Sequence, residues 1–210
     1  MGRVSKQSEL AKILEDADRM LKAQSAIGLV KSKIQIINSE LSLTANHKVI
    51  VSMQDRIKTT ESVCQKLKKK GLPYSYDAVE ENINDVVGVR AVCAFEDDIY
   101  RVAQILLSHP DVKLLKKKDY IVDPKKSGYR SLHLIIQVPL YLSSGAEWIK
   151  VELQLRTSAM NFWADLDHQM RYKRGVKEAK LIGKELKEYA DKIKELDEHM
   201  VELRKKIESI

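Results

Sequence analysis

The run from Asp85 to Phe95, DVVGVRAVCAF, constrains this chain more than any other stretch. An almost unbroken apolar run rich in valine predicts a central strand of a sheet, buried on both faces. Two charges interrupt it. Asp85 at its edge and Arg90 inside it each require a partner or an opening onto solvent. A strand-end aspartate is often only a turn former, so Asp85 gains meaning only from its neighbours.

The other strands follow from alternation. In VELQLRT, Val151, Leu153 and Leu155 face one way, and Glu152, Gln154 and Arg156 the other. One face is core, and the other presents an acid, an amide and a guanidinium in a row. The spacing predicts adjacent strands over 129–140 and 148–157, joined by the SSG turn at 143–145. A further strand is expected over 113–120, with Lys116, Lys117 and Lys118 as a basic lip. Between these lies KDYIVDPKKSGYRSLH, residues 118–133. It breaks at Pro124, carries Lys125 and Lys126 into a Ser127–Gly128 turn and restarts at Tyr129. Paired lysines and a glycine let a backbone approach phosphates closely. The Tyr129 ring then stands where a base could stack.

Helical period marks the remainder. Leu10, Ile13, Leu14, Ala17 and Leu21 form one stripe over 7–24, and Ile27, Val30, Ile34, Ile37 and Leu41 form a second. Both read as amphipathic helices that pack on something. A helix starting near Thr59 or Thr60 buries Val63, Cys64 and Leu67 and stops at Gly71. EDDIYRVAQILLSHP reads as a helix capped by Asp97 or Asp98 and closed before Pro110. Thr157 or Ser158 caps another, with Met160, Trp163, Leu166 and Met170 on one side and Asn161 and His168 off that stripe. From Ile182 through Leu186, Tyr189, Ile193, Leu196, Met200, Leu203 and Ile207 to Ile210, apolar residues recur in steps of four and three. That is a heptad seam, which must bury against the N-terminal helix pair or a neighbouring subunit. The fold class expected is α+β: a mixed sheet flanked by helices, with amphipathic N-terminal helices and a long C-terminal helix. Residues 1–44, 45–175 and 176–210 form its three segments, N-terminal helices, core and helical extension.

A formal charge of +7 over 210 residues points to an anionic partner. No apolar run approaches the roughly 20 residues that cross a bilayer, and MGRVSKQSEL lacks the apolar segment of a secretory signal. Cys64 and Cys93 have no metal-ligand spacing and read as reduced, buried thiols of a cytoplasmic protein. Asp85 and Glu152, on neighbouring strands, are the carboxylates that suit Mg²⁺, which takes a few carboxylates plus phosphate oxygens. There is no His/Cys cluster suited to zinc.

Taken together, DRIKTTES at 55–62, KLKKKG at 66–71, DVVGVR at 85–90, KDYIVDPKKSGYRSLH, VELQLRT and the helix leading to HQMRYK resemble the RelA/SpoT-type (p)ppGpp synthetases. In length the chain is similar to the small alarmone synthetases. The resemblance spans roughly residues 45–175 and implies a nucleotidyltransferase-like core. It implies that the β,γ-pyrophosphate of ATP passes to the ribose 3′-hydroxyl of GDP or GTP, with GMP a third acceptor, leaving AMP. By the same resemblance Asp85 and Glu152 are catalytic and ligate Mg²⁺, and Glu152 orients or deprotonates the acceptor hydroxyl. Arg56 and Arg90 sandwich the adenine, and Lys58 and Lys125 sit among the phosphates. Tyr129 stacks on guanine, His133 contacts the acceptor phosphates, Arg130 adds charge there, and Gln154 and Asn161 help read the guanine. A homo-oligomer, tetrameric in this family, is implied, with single-stranded RNA or alarmone as candidate regulators and no membrane partner. Ser127 and Thr60 stand where many relatives carry asparagine and proline. No His–Asp dipeptide of the family's hydrolase occurs, so synthesis without hydrolysis is expected.

Two other readings compete with this one. A binding module could hold guanine nucleotides or single-stranded RNA on the same basic face without catalysis, although a polyanion binder gains nothing from Asp85 and Glu152 beside the phosphates. A nucleotidyltransferase moving AMP would release pyrophosphate instead of AMP.

Overall fold

Valine-rich and alternating segments become strands in the computed structural model, which describes residues 5–171 and 176–209, with the side chains of 171–181 outside the description. In chain order the elements are α1 (Lys6–Leu14), α2 (Ala17–Thr44), β1 (Ile50–Ile57), α3 (Thr60–Lys69), α4 (Tyr76–Asn82) and β2 (Val87–Cys93). Then come α5 (Glu96–Ser108), β3 (Lys113–Asp119), β4 (Leu132–Leu142), β5 (Gly145–Thr157), α6 (Ser158–Arg171) and α7 (Val176–Glu208). The fold is α+β with one five-stranded mixed sheet of order β1-β2-β5-β4-β3. Only β2 and β5 run parallel; the other pairs are antiparallel.

Alternation decides which side of the sheet is core. Val151, Leu153 and Leu155 of β5, with Val89, Ala91, Leu134 and Ile136 of its neighbours, are buried with Val30, Ile34 and Ile37 of α2 and Ile99 and Leu106 of α5. Each such side chain contributes about 1.5–3 kcal/mol by leaving water. A second cluster, Leu10, Val63, Cys64, Leu67, Val79 and Ile83, joins α1, α3 and α4. Helix α2 is tied to the first strand by Asn38, whose Oδ1 accepts from the Ile50 amide at 2.7 Å.

The structure departs from the sequence reading in five places. The stripe expected over 7–24 is two helices: the Asp16 carboxylate accepts from the Asp18 amide and starts α2, which runs on through the second stripe. Of the stripe, Leu10 and Leu14 serve the smaller cluster, Leu21 is exposed, and α2 reaches the main cluster first through Ala23. Phe95, not Asp97 or Asp98, occupies the N-cap of α5; the acids fall in the first turn, where the helix dipole favours them. The strand after Gly128 begins at Leu132 instead of Tyr129, and β4 and β5 reach farther into the 143–145 turn than expected. The central strand is not buried on both faces throughout: Gly88 and Arg90 leave one face partly open, and only Val92 closes it at the far end.

The fifth departure is the heptad helix. The N-terminal helix pair, one of the two expected partners, does not cover its seam. Helix α7 lies against α6 and the start of α5, burying Leu186, Ala190 and Asp197 while leaving Tyr189, Leu196, Met200, Leu203 and Ile207 exposed. Ile210, the last seam residue, lies outside the described residues, as do Tyr172 and Lys173 of HQMRYK.

Its far end is held by charge. Arg204 pairs with Asp97 and stands 3.9 Å from Asp98, whose other oxygen meets His47 Nε2 at 2.8 Å. The Asp98 side chain has no exposed surface, so each cation beside it offsets a large desolvation cost. Arg204→Met is expected to destabilise the fold by about 1–3 kcal/mol, read as a lowered denaturant midpoint.

Both cysteines are free and buried, and burial pushes the thiols of Cys64 and Cys93 up. Among the described residues, no helix is long and apolar enough to cross a membrane.

Candidate active site

The polar face of the sheet becomes a cleft because its register lines up chemically active side chains. Gln54, Arg90, Gln154, His133 and Lys118 stand opposite one another in a row across all five strands. Beside it run Arg56, Gly88 and Glu152. Asp85 precedes β2 by two residues, and α6 leans over β2 and β5 from the far side. The resulting cleft has a volume of about 870 Å³.

Of the eleven residues singled out by sequence, Arg56, Asp85, Arg90, Lys125, Tyr129, His133, Glu152 and Gln154 line this cleft. Lys58 reaches it through Asp85, at 3.0 Å, and Asn161 through Arg90, at 3.2 Å. Arg130 stands apart. It is buried, it is not among the cleft-lining residues, and its acidic neighbours are Glu96 and Asp197. The resemblance had put it at the phosphates, but it stands next to Tyr129 and on the other side of the chain from the cleft.

Glu152 sits in a closed ring of hydrogen bonds. Arg156 Nη2 donates to the Tyr129 hydroxyl at 2.6 Å and to Gln154 Oε1 at 3.2 Å. Gln154 Nε2 donates to Glu152 Oε2 at 2.9 Å. On the other arm His133 Nδ1 faces Glu152 Oε1 at 3.1 Å, and its Nε2 faces the Tyr129 hydroxyl at 2.8 Å. A neutral His133 satisfies these contacts with its proton on Nδ1, donating to Glu152 and accepting from Tyr129. Burial works against the charge on Glu152, but the bonds from His133 and Gln154 outweigh it and hold the carboxyl below its ordinary value.

Asp85 behaves alike. Burial opposes its charge, yet Lys66, at 2.5 Å, and Lys58 outweigh burial and keep its carboxyl low. Carboxylates with lowered values add stability above their unfolded-chain values and lose it as pH falls through the folded ones. Asp85 also acts electrostatically on Glu152, so the two acids share one site.

The opposite end is crowded with guanidinium groups. Burial and then the neighbouring charge of Arg156 lower the pKa of Arg90, while Asp165, 3.6 Å away, opposes them. The Nε groups of Arg90 and Arg156 are buried without a hydrogen-bond partner. Between Arg56 and Arg90 the floor is Gly88, whose missing side chain leaves room for a flat ring. Lys125 Nζ stands 4.7 Å from the ring of Tyr120 and 4.8 Å from that of Tyr129.

Sequence reasoning did not single out Lys66, Tyr120, Asp165, Asp167 and Gln169 as lining residues, and it gave Arg156, Lys118 and His168 a polar face, a basic lip and a place off the apolar stripe without assigning them to the site. Arg156 carried a signal, since it alternates with Glu152 and Gln154. Lys66 carried none that separates it from Lys68 to Lys70; only the fold aims it at Asp85.

Residues 55–177 match the model of the region found in RelA/SpoT proteins. The chain is 39% identical over 206 residues to GTP pyrophosphokinase YwaC of Bacillus subtilis, covering 98% of each. It is 32% identical to GTP pyrophosphokinase YjbM of the same organism, covering 88% of this chain and 86% of that one. Among solved structures it resembles small alarmone synthetase 1 of B. subtilis bound to its product pppGpp, with a TM-score of 0.79 and 32% identity over 91% of this chain and 97% of that one. It also resembles small alarmone synthetase 2 of B. subtilis, with a TM-score of 0.77 and 40% identity over 89% and 97%.

Proposed function

The chain belongs to the RelA/SpoT family, and from that membership and the geometry of its cleft we propose that it is a GTP pyrophosphokinase of the small alarmone synthetase kind. It transfers the β,γ-pyrophosphate of ATP to the 3′-hydroxyl of GDP or GTP, with GMP a third acceptor. The observation that carries this reading is the convergence of Asp85 and Glu152 in one cationic cleft.

In this reading adenine lies over Gly88 between Arg56 and Arg90, since guanidinium planes stack on aromatic rings. The triphosphate lies toward Lys58 and Lys66, with Lys125 on the acceptor side. Guanine stacks on Tyr129, drawing that ring away from Lys125, with Gln154 and Asn161 reading its edge and His133 and Lys118 near the acceptor phosphates. Glu152 accepts the proton of the 3′-hydroxyl as its oxygen bonds to the β-phosphorus. The bond from that phosphorus to the α,β-bridging oxygen breaks, and AMP leaves with the oxygen. Arg130 takes no part in phosphate binding here.

Two carboxylates lining one cleft, with phosphate oxygens to complete the shell, fit magnesium, which needs no all-protein cage. Asp85 and Glu152 would hold it, and bound there it would neutralise charge building on the transferred phosphates. We assign the reaction to the cytoplasm. Residues 45–175 carry it, with 1–44 and 176–210 as helical supports. The exposed seam of α7 suits a second copy of the chain, in the tetramer that the family resemblance implies.

The test is incubation with Mg²⁺, ATP and each of GMP, GDP and GTP, with anion-exchange separation of products. AMP formed in step with a more highly charged guanosine nucleotide supports the reading; absence of AMP from folded protein overturns it. The adenine position has its own test. A Cβ at Gly88 would meet Arg56 Cγ at 3.7 Å, an ordinary contact, so Gly88→Ala is expected to fold, while its methyl group on the floor of the adenine site raises the KM for ATP by about two- to fivefold. Gly88→Val fills the floor and is expected to raise that KM by about tenfold or more without changing the KM of the acceptor.

A further inference from the structure

Three consecutive residues of the acceptor loop lean on the C-terminal helix. Gly128 has φ of +90°, and a Cβ there would lie 2.5 Å from Ala190 Cβ, 3.6 Å from Lys187 Cα and 3.7 Å from Trp163 Cζ2. Tyr129 packs against the small cluster of Trp163, Leu186 and Ala190. Arg130, buried, has Asp197 of α7 as an acidic neighbour. The support is itself fixed: Trp163 Nε1 donates to the Leu186 carbonyl at 2.8 Å, and Thr157 Oγ1 donates to Asp197 Oδ2 at 2.7 Å. Within the loop, by contrast, the backbone closes through Gly128 N to Lys125 O, at 2.7 Å, and Lys125 N to Tyr129 O, at 3.2 Å.

We infer that α7 seats the acceptor loop and that Ala190 is its positioning residue: the small side chain at 190 sets how close Gly128 lies to the helix, and so where the Tyr129 ring stands over the cleft. This rests on the reading of Tyr129 as the ring that stacks on guanine. The adenine side leans less on that support: Arg56 and Arg90 stand on β1 and β2, neither touches α7 among the described residues, and Arg90 alone meets α6, through Asn161 and Asp165. A change at Ala190 therefore separates the two substrates, which a general loss of stability would not do.

The test is Ala190→Leu, assayed for AMP release with ATP and acceptor varied in turn. The KM of the guanine nucleotide is expected to rise about tenfold or more, with the KM of ATP and kcat at saturating acceptor within about threefold of wild type. A folded variant with unchanged acceptor KM overturns the inference, as does an equal rise in both KM values. A two-site cycle reads the same contact should the larger side chain prevent folding. Gly128→Ala alone is expected to raise the acceptor KM, and adding Ala190→Gly, which removes the atom it strikes, to recover part of the loss. Strain at positive φ keeps the recovery incomplete. No recovery overturns the inference. Wild-type protein assayed alongside keeps the two failures apart: no AMP with any acceptor sinks the proposed activity, whereas normal wild-type turnover with unmoved variants sinks only the role of the helix.

Discussion

Glu152→Gln is expected to fold and to lose turnover by about 10²–10⁴-fold, the range for removal of a positioned general base. The amide matches the carboxylate in shape and stands on the polar face of β5, so the core face of Val151 and Leu153 is untouched. Its oxygen can still accept from His133 Nδ1, which now donates at 3.1 Å. Its nitrogen, however, would meet the Gln154 Nε2 donor at 2.9 Å, so one hydrogen bond is lost at a cost of about 1 kcal/mol. Against that, a buried charge disappears. The two effects oppose, and the net change in stability is small beside the loss of chemistry. Denaturant unfolding and AMP release, measured on one preparation, separate them. Normal turnover from the folded variant would remove Glu152 from the mechanism.

Asp85→Asn has a different signature. The aspartate faces two ammonium groups, Lys58 at 3.0 Å and Lys66 at 2.5 Å. Without its charge those lysines repel each other and present surplus positive charge to the phosphates. Turnover is expected to fall by about 10²-fold or more, because one of the two carboxylates suited to magnesium is gone. ATP measured without divalent metal is expected to bind at least as tightly as to wild type, because no carboxylate now repels it. Binding and turnover therefore move apart. Parallel loss of both, in folded protein, would mean that Asp85 serves only to space the two lysines.

How much of this was readable beforehand depends on the range of the interaction. The strand at 87–93, the alternation of VELQLRT and the Thr59 cap of α3 are local, and period and cap chemistry revealed them. Alternation tells which side chains share a face of one strand; it does not tell which residue of another strand lies beside them. The row from Gln54 through Arg90, Gln154 and His133 to Lys118 is a matter of register, set by pairings between distant segments. That is why period alone did not separate Lys66 and Lys118 from the lysines beside them. Arg130 is a different case: it rested on the resemblance alone, and alternation, which puts Tyr129 and His133 on the cleft face, puts Arg130 on the other, where the structure has it. The break at Asp16 escaped because the apolar period runs through it unbroken.

The parallel pairing of β2 with β5 has a consequence for how the protein matures. Gly88 meets Glu152 only after α5, β3 and β4 have emerged and the intervening chain has closed into a large loop. Such non-local closure is slow, because chain entropy is lost before contacts compensate for it. The β4–β5 hairpin can form early and alone; the juxtaposition of Asp85 and Glu152 cannot. A nascent or partly unfolded chain thus has its polar strands without its acid pair. In refolding, the return of AMP production would trail the return of strand signal and mark closure of that last seam.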